Sequence, residues 1–352
     1  MSLLLWLALL LITQAEAPPA YKPAAETKAA FLKQLDRPRI PLDPRDNKTS
    51  EPNAGLVTEQ LSFASEKKVD GTIERIPALI VRPADNAKPR PAVVVLHGTG
   101  GSKHDMTSTL EDLARLGFIA ISIDGRYHGE RNSGQGTDEY NQAITRAWRT
   151  KPSEPGEHPF YFDTCWDIWR TLDYLQTRSD VDANRIGMIG FSKGGIETWM
   201  AASVDDRVKV AVPAIAVQSF AWGLENNAWQ GRAKTISAAH ANAASDLGES
   251  EVNAKVCRTL WDKVIPGVTG DYDCPSLLRL FAGRPLLILN GSEDPNCPIG
   301  GAKVAFASAR SAFEAAGAPD KLKVNVAQGV GHAVTPAQRK DAYDWFVLWL
   351  KP

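Results

Sequence analysis

Cysteine is scarce: the chain of 352 residues has four, and no two are spaced as C-x-x-C. That pair, an H-E-x-x-H pair and a phosphate loop of the P-loop kind are all absent, so neither a metal nor a nucleotide cofactor is expected. An excess of one charge is missing too. The 40 basic and 41 acidic residues, spread along the chain, leave a net charge of −1. No basic block and no interleaving of aromatic with basic residues marks a nucleic-acid surface. The apolar run Leu3 to Ile12 falls short of the ~20 residues that a membrane span needs, so no stable span is expected. Internal repeats and low-complexity tracts are absent. What is present, 43% hydrophobic content at this length, is enough for one large core, read as one domain with an insertion.

The short apolar run reads as an address. With the small residues of Thr13-Gln14-Ala15-Glu16-Ala17 behind it, it has the pattern of a signal peptide cut after Ala15 or Ala17. Residues 1–17 are assigned to it, and export to a periplasm or the outside is expected. No Lys or Arg precedes the run, which leaves an uncleaved interfacial anchor as the alternative. No cysteine follows it, so a lipid anchor is not indicated. The Pro-rich stretch 18–54 reads as an extended arm over the surface, and 55–352 as the main domain.

Gly190-Phe191-Ser192-Lys193-Gly194-Gly195 follows an apolar strand, Arg185 to Ile189, and opens a helix. A serine between glycines in that setting reads as a nucleophile elbow, a turn too sharp for side chains at the glycine positions, with the hydroxyl standing above the sheet. Such an elbow predicts an acid and then a histidine downstream. Arg284 to Gly291 reads as a buried strand, and Ser292-Glu293-Asp294-Pro295 puts carboxylates on the loop at its end. Asp294 is the expected acid and Glu293 its rival. Lys321 to Val326 alternates as a strand and runs into His332. Thr335-Pro336-Ala337-Gln338 then starts a helix with a capping box and Pro at its first position.

Upstream, the strand Ala92 to Leu96 is followed by His97-Gly98-Thr99-Gly100-Gly101. Gly98 and Gly100 let the backbone approach a substrate. The N–H of Thr99 (or Gly100) and that of Lys193 are the pair expected to hold an oxyanion. His97 is expected to support the loop.

Strands and helices alternate from Ala92 to Ala216, which predicts an α/β fold, a mostly parallel sheet with helices on both faces. Residues 55–83 precede it as two antiparallel edge strands. The site residues named here fall at the strands' carboxyl ends, where ligands bind in such sheets. Residues 127–162, rich in Gly, Pro and charge, read as a long loop, and 217–282 as a cap of two or three short helices. Both are expected to shape the substrate pocket. Phe220, Trp222, Trp229 and Trp261 are read as cap packing, with Trp222 also offered to the substrate. Arg126 and His128 are placed at the pocket mouth, and Tyr127 is expected to bind the substrate. Arg126 either binds a substrate carboxylate or pairs with Glu130 or Asp124, and Asp124 orients the loop.

With His97 to Gly101, Asp124-Gly125-Arg126-Tyr127-His128-Gly129, Gly190 to Gly195, Asp294 and His332 in view, the chain resembles the α/β-hydrolase superfamily, in its dienelactone-hydrolase-like and acetyl-xylan-esterase-like branches. The stretches Val217 to Trp222 and Asn290 to Pro295 also look like those of a poorly characterised group of plant and bacterial members. The resemblance covers about residues 55–352. It implies an α/β-hydrolase fold with a helical insertion after the sixth strand, and a triad of Ser192, Asp294 and His332. Dienelactone hydrolases proper use cysteine, so Ser192 points to ordinary ester chemistry on small or carbohydrate-linked esters. A prolyl-oligopeptidase-like peptidase and a non-catalytic binding protein of this fold are the alternatives. If the protein is exported, the cysteines are expected to pair as Cys257–Cys274 and Cys165–Cys297, the alternative being four free buried thiols.

Overall fold

The computed structural model describes residues 21–351, except 86, 87, 152 and 155. The apolar run Leu3–Ile12 and the cleavage segment behind it lie outside the described residues. Among those described, no helix is long and apolar enough to cross a membrane.

A nine-stranded sheet forms the centre: β1 (Arg45–Thr49), β2 (Leu56–Lys67), β3 (Ile73–Pro83), β4 (Arg90–Leu96), β5 (Ile119–Ile123), β6 (Val181–Phe191), β7 (Val208–Ala214), β8 (Leu286–Gly291) and β9 (Leu322–Ala327). Their spatial order is β1-β2-β3-β5-β4-β6-β7-β8-β9. β4 to β9 run parallel, and β1 to β3 add an antiparallel wing against β5. The 55–83 hairpin forms as expected, but β1 covers its outer side, so β2 is not an edge. The sheet is buried on both faces, as a period of two in β4 shows. Ala92, Val94 and Leu96 join one core cluster, while Val93 and Val95 join the other. From β4 the chain moves outward to β5, then returns to place β6 on β4's other side. That reversal opens a crevice between the carboxyl ends of β4 and β6.

Three segments differ from the sequence reading. The 18–54 arm is not simply extended: its described part holds a helix, Ala24–Leu35, that buries Thr27, Phe31 and Leu35, and also β1. The long loop 127–162 contains a 13-residue helix, Thr137–Arg149, packed on the insertion helices Ser237–Asp246 and Ala254–Val264. The insertion has five helices rather than two or three. All four cysteines are free and buried, so the expected pairings Cys257–Cys274 and Cys165–Cys297 are not formed. The thiols pack as small apolar groups instead.

Arg126 is a further correction. Only 3% exposed, it does not reach a pocket mouth. Its Nε donates to Asp167 Oδ2 at 2.8 Å and its Nη2 to Glu66 Oε1 at 2.6 Å; neither Glu130 nor Asp124 is its partner. Arg131 Nη1 also donates to Asp167, at 2.7 Å. The two guanidinium groups hold the fully buried Asp167 carboxyl well below the usual range against its desolvation. Arg126→Ala leaves that carboxylate half-compensated and is expected to cost about 3–5 kcal/mol of folding stability. Urea denaturation checks this; a loss under about 1 kcal/mol would mean the pair is dispensable.

Candidate active site

β6 ends at Phe191 and the chain turns at Ser192, whose φ of 55° and ψ of −113° are strained for a residue with a side chain. The flanking glycines make the turn possible. A Cβ on Gly190 would lie 2.1 Å from the Gly194 carbonyl oxygen, and one on Gly194 would lie 2.4 Å from that of Leu96. The Ser192 amide donates to Ala214 O of β7 at 3.0 Å, which ties the turn to the neighbouring strand. The helix Lys193–Val204 starts at once.

His332 lies between β9 and the helix Pro336–Leu350. Its Nε2 is 2.8 Å from Ser192 Oγ and its Nδ1 is 2.7 Å from Asp294 Oδ2. The other Asp294 oxygen accepts the amides of Asn296 at 2.8 Å and Cys297 at 3.1 Å. One carboxylate oxygen is thus held by the backbone while the other faces the ring. A proton on Nδ1 satisfies Asp294 and leaves Nε2 to accept from serine. Glu293 is exposed, and the ring meets its neighbour Asp294 instead. The capping box at Thr335 and Gln338 forms, and Gln338 Nε2 also donates to Asn290 O at 2.9 Å. That bond ties the helix after His332 to the strand end that precedes Asp294.

The segment after β4 lies over the elbow: a Cβ on Gly98 would be 3.6 Å from Ser192 Cβ. The Gly125 amide donates to His97 Nε2 at 3.0 Å, so the ring proton sits on Nδ1 and is donated to Gly98 O at 2.7 Å. Gly101 N donates to the same oxygen at 3.1 Å. In a trans peptide the next N–H points opposite to that carbonyl, which turns the Thr99 amide away from His97. Burial and the nearby Lys193 push the His97 pKa down to about 4, keeping the ring neutral. Gly100, at φ 77°, leans on Thr137 at the start of the Thr137–Arg149 helix. The Lys193 amide opens the elbow helix, where no preceding turn supplies an acceptor.

The Lys193 side chain plays a part the sequence reading missed. It is fully buried and donates to Glu197 Oε1 at 2.5 Å, one turn along the helix. Burial pushes the Glu197 carboxyl upward, and the Lys193 charge opposes the shift. The i,i+4 spacing of opposite charges on an otherwise apolar helix was the available signal.

Of the other expected contacts, Tyr127 has φ 60° and bonds Glu157 through its hydroxyl. It lines a cavity of about 320 Å³ with Gly100, Gly101 and His128. His128 itself is buried, its ring packed between His97 and Tyr140. Trp222 is half-buried and lies on Gly300 and Gly301, where a Cβ at Gly300 would be 2.2 Å from its ring. It seats the insertion on the Ile299–Ala315 helix. Asp124 accepts from Lys103 N at 2.8 Å, Lys103 Nζ at 2.7 Å and Glu130 N at 3.0 Å, which orients the loop. Asp294, Cys297 and His332 cluster closely enough to hold a metal ion. However, the Cys297 thiol donates to Ile215 O at 3.3 Å and accepts from the buried Arg232 at 3.4 Å, so a cation would meet a guanidinium there.

Residues 76–253, a little over half of the chain, match the family model described as the dienelactone hydrolase family. YtaP of Bacillus subtilis (strain 168), provisionally named a hydrolase, is 24% identical over 292 residues, 79% of this chain and 84% of that protein. Among solved structures, acetyl xylan esterase 1 from Thermoanaerobacterium sp. JW/SL YS485 aligns with a TM-score of 0.65 at 18% identity, over 95% of each chain. A glucuronoyl esterase from Solibacter usitatus aligns at 0.64 and 16% identity, over 92% of this chain and 91% of that one.

Proposed function

The chain belongs to the dienelactone hydrolase family, has the α/β-hydrolase fold and is a carboxylic-ester hydrolase; on that premise we propose that it works through an acyl-enzyme on Ser192. The observation that carries this reading is the continuous hydrogen-bonded line from Ser192 Oγ through both His332 nitrogens to Asp294. A serine hydroxyl is a poor nucleophile near neutral pH, so His332 Nε2 takes its proton as Oγ attacks the ester carbonyl. Asp294 holds the ring in the Nδ1–H tautomer and stabilises the imidazolium without itself taking the proton. The amides of Thr99 and Lys193 receive the oxyanion, each worth about 10²- to 10³-fold in rate. His332 then gives its proton to the leaving alcohol, and water repeats the sequence to free the acid and Ser192.

Two structures of like fold carry the names of carbohydrate esterases, which supports small or carbohydrate-linked esters as the substrates. The apolar run Leu3–Ile12 supports export. The test is fluorophosphonate labelling of the purified protein beside Ser192→Ala, followed by turnover of p-nitrophenyl esters. Labelling of the wild type alone supports the reading; no labelling of folded protein overturns it in favour of a binding role.

The acid assignment has its own check. Asp294→Asn is expected to lower kcat by roughly 10⁴-fold, since the amide favours the wrong tautomer of the ring. Glu293→Gln should leave kcat nearly unchanged, and the reverse pattern would exchange their roles.

A further inference from the structure

Ile215, the first residue after β7, has a φ of 48°. A β-branched residue rarely adopts that backbone, and such outliers collect at sites where the strain serves a purpose. Glycine would adopt it freely, so the side chain asks for a role of its own.

Its surroundings narrow that role. The Ile215 amide donates to Leu289 O of β8 at 2.6 Å. Its carbonyl accepts the Cys297 thiol at 3.3 Å, and the Cys297 amide in turn donates to Asp294. On the other side, the carbonyl of its predecessor Ala214 accepts the Ser192 amide. Its successor Ala216 packs where Gly195 leaves room for no side chain. Ile215 is therefore clamped between the strand that carries the nucleophile and the loop that carries the acid. Its side chain is only 7% exposed, yet it belongs to neither core cluster, whereas Ala214, Ala216 and Val217 around it do. The apolar side chain is thus buried outside both cores, at the carboxyl edge of the sheet between the segments that carry Ser192 and Asp294.

The geometry points to Ile215 as the residue that sets acyl-chain length, a rigid wall beside Ser192 that admits short acyl groups and blocks long ones. The acyl group is the part affected because it stays bonded to Ser192, while the alcohol leaves toward the partly exposed His332. A strained backbone tied at both its N–H and its C=O cannot swing aside, so the limit is set by side-chain size. This inference rests on the acyl-enzyme reading above.

The test is kcat/KM for p-nitrophenyl acetate, butyrate and hexanoate in the wild type, Ile215→Val, Ile215→Ala and Ile215→Gly, with thermal melts alongside. The wild type is expected to favour acetate. The hexanoate-to-acetate ratio should rise at least about tenfold in Ile215→Gly, the scale of a few methylenes of apolar discrimination, and by an intermediate factor in Ile215→Ala. Ile215→Val, one methylene smaller, should stay within about threefold of the wild type. Ile215→Gly should fold, because lost packing is offset by released strain. An unchanged ratio in variants that keep Ser192-dependent turnover, including a uniform fall for all three esters, overturns this inference alone. Absence of Ser192-dependent turnover in the wild type overturns the acyl-enzyme reading and this inference with it.

Discussion

Ser192→Ala is expected to lower kcat on an ester substrate by roughly 10⁶-fold, the scale seen when a serine nucleophile is removed from a triad. The size follows from the mechanism rather than from lost binding. With no Oγ there is no acyl-enzyme, and His332 and Asp294 have no proton to manage. The groove and its backbone amides remain, so KM should change little. Alanine keeps the Cβ and the backbone of a residue already strained at φ 55°, so stability should shift by no more than about 0.5 kcal/mol. Retained turnover in the purified variant, with contaminating esterase excluded by labelling, would remove Ser192 from the chemistry.

The second large effect is loss of stability between neutral pH and pH 4. His97 and His240 are both buried, with pKa values pushed down to about 4. Each ring uses Nε2 as an acceptor, from the Gly125 amide at 3.0 Å in one case and from Trp261 Nε1 at 3.0 Å in the other. A proton on Nε2 would face a donor already there. In the unfolded chain these rings titrate near 6.5, so from about pH 6.5 down to 4 the unfolded state binds more protons and folding stability falls. Each ring contributes up to roughly 3 kcal/mol to that fall. Burial pushes His128 down as well. Asp273 acts in the opposite sense. Its desolvated carboxyl is raised to about 6, so its protonation returns roughly 2 kcal/mol between pH 6 and 4. The balance is a net loss of several kcal/mol, a large share of the stability of an ordinary domain. Urea midpoints measured from pH 7.5 to 4 should fall steadily. His240→Gln, which keeps an acceptor for Trp261 but does not titrate, should flatten the slope. A midpoint independent of pH down to 4.5 would sink the argument.

Both effects start from features of different legibility. The elbow could be read directly, because its geometry is local: Gly190, Gly194 and Gly195 leave no room for a Cβ. The capping box at Thr335 and Gln338 is local as well. The Thr137–Arg149 helix was equally readable and was missed. Tyr140, Ala143, Ile144, Ala147 and Trp148 have the spacing of one helical face, but the Gly, Pro and charged residues around them drew the whole stretch into a loop. In the Pro-rich arm, the same holds for Thr27, Phe31 and Leu35, spaced four apart and buried together.

The buried histidines and the Arg126 network were not readable in that way. Whether His240 stays neutral depends on Trp261, 21 residues on, and on how deeply the insertion packs. Arg126 has nearby carboxylates in Asp124 and Glu130, yet it pairs with Asp167 and Glu66, 41 and 60 residues away. The cysteines are a matter of distance and direction between distant segments, and all four thiols stay free.

The sequence by itself determined the alternating strands and helices, the turn at Ser192 and the chain order of serine, acid and histidine. Each depends on steric and apolar patterns within a few residues. Only the tertiary structure decided that Asp294 rather than Glu293 meets His332, that Arg126 is locked away from the groove, and that Ile215 stands strained between the nucleophile and the acid. Those outcomes depend on which distant segments the packed sheet brings within hydrogen-bonding reach, and no local pattern carries that distance.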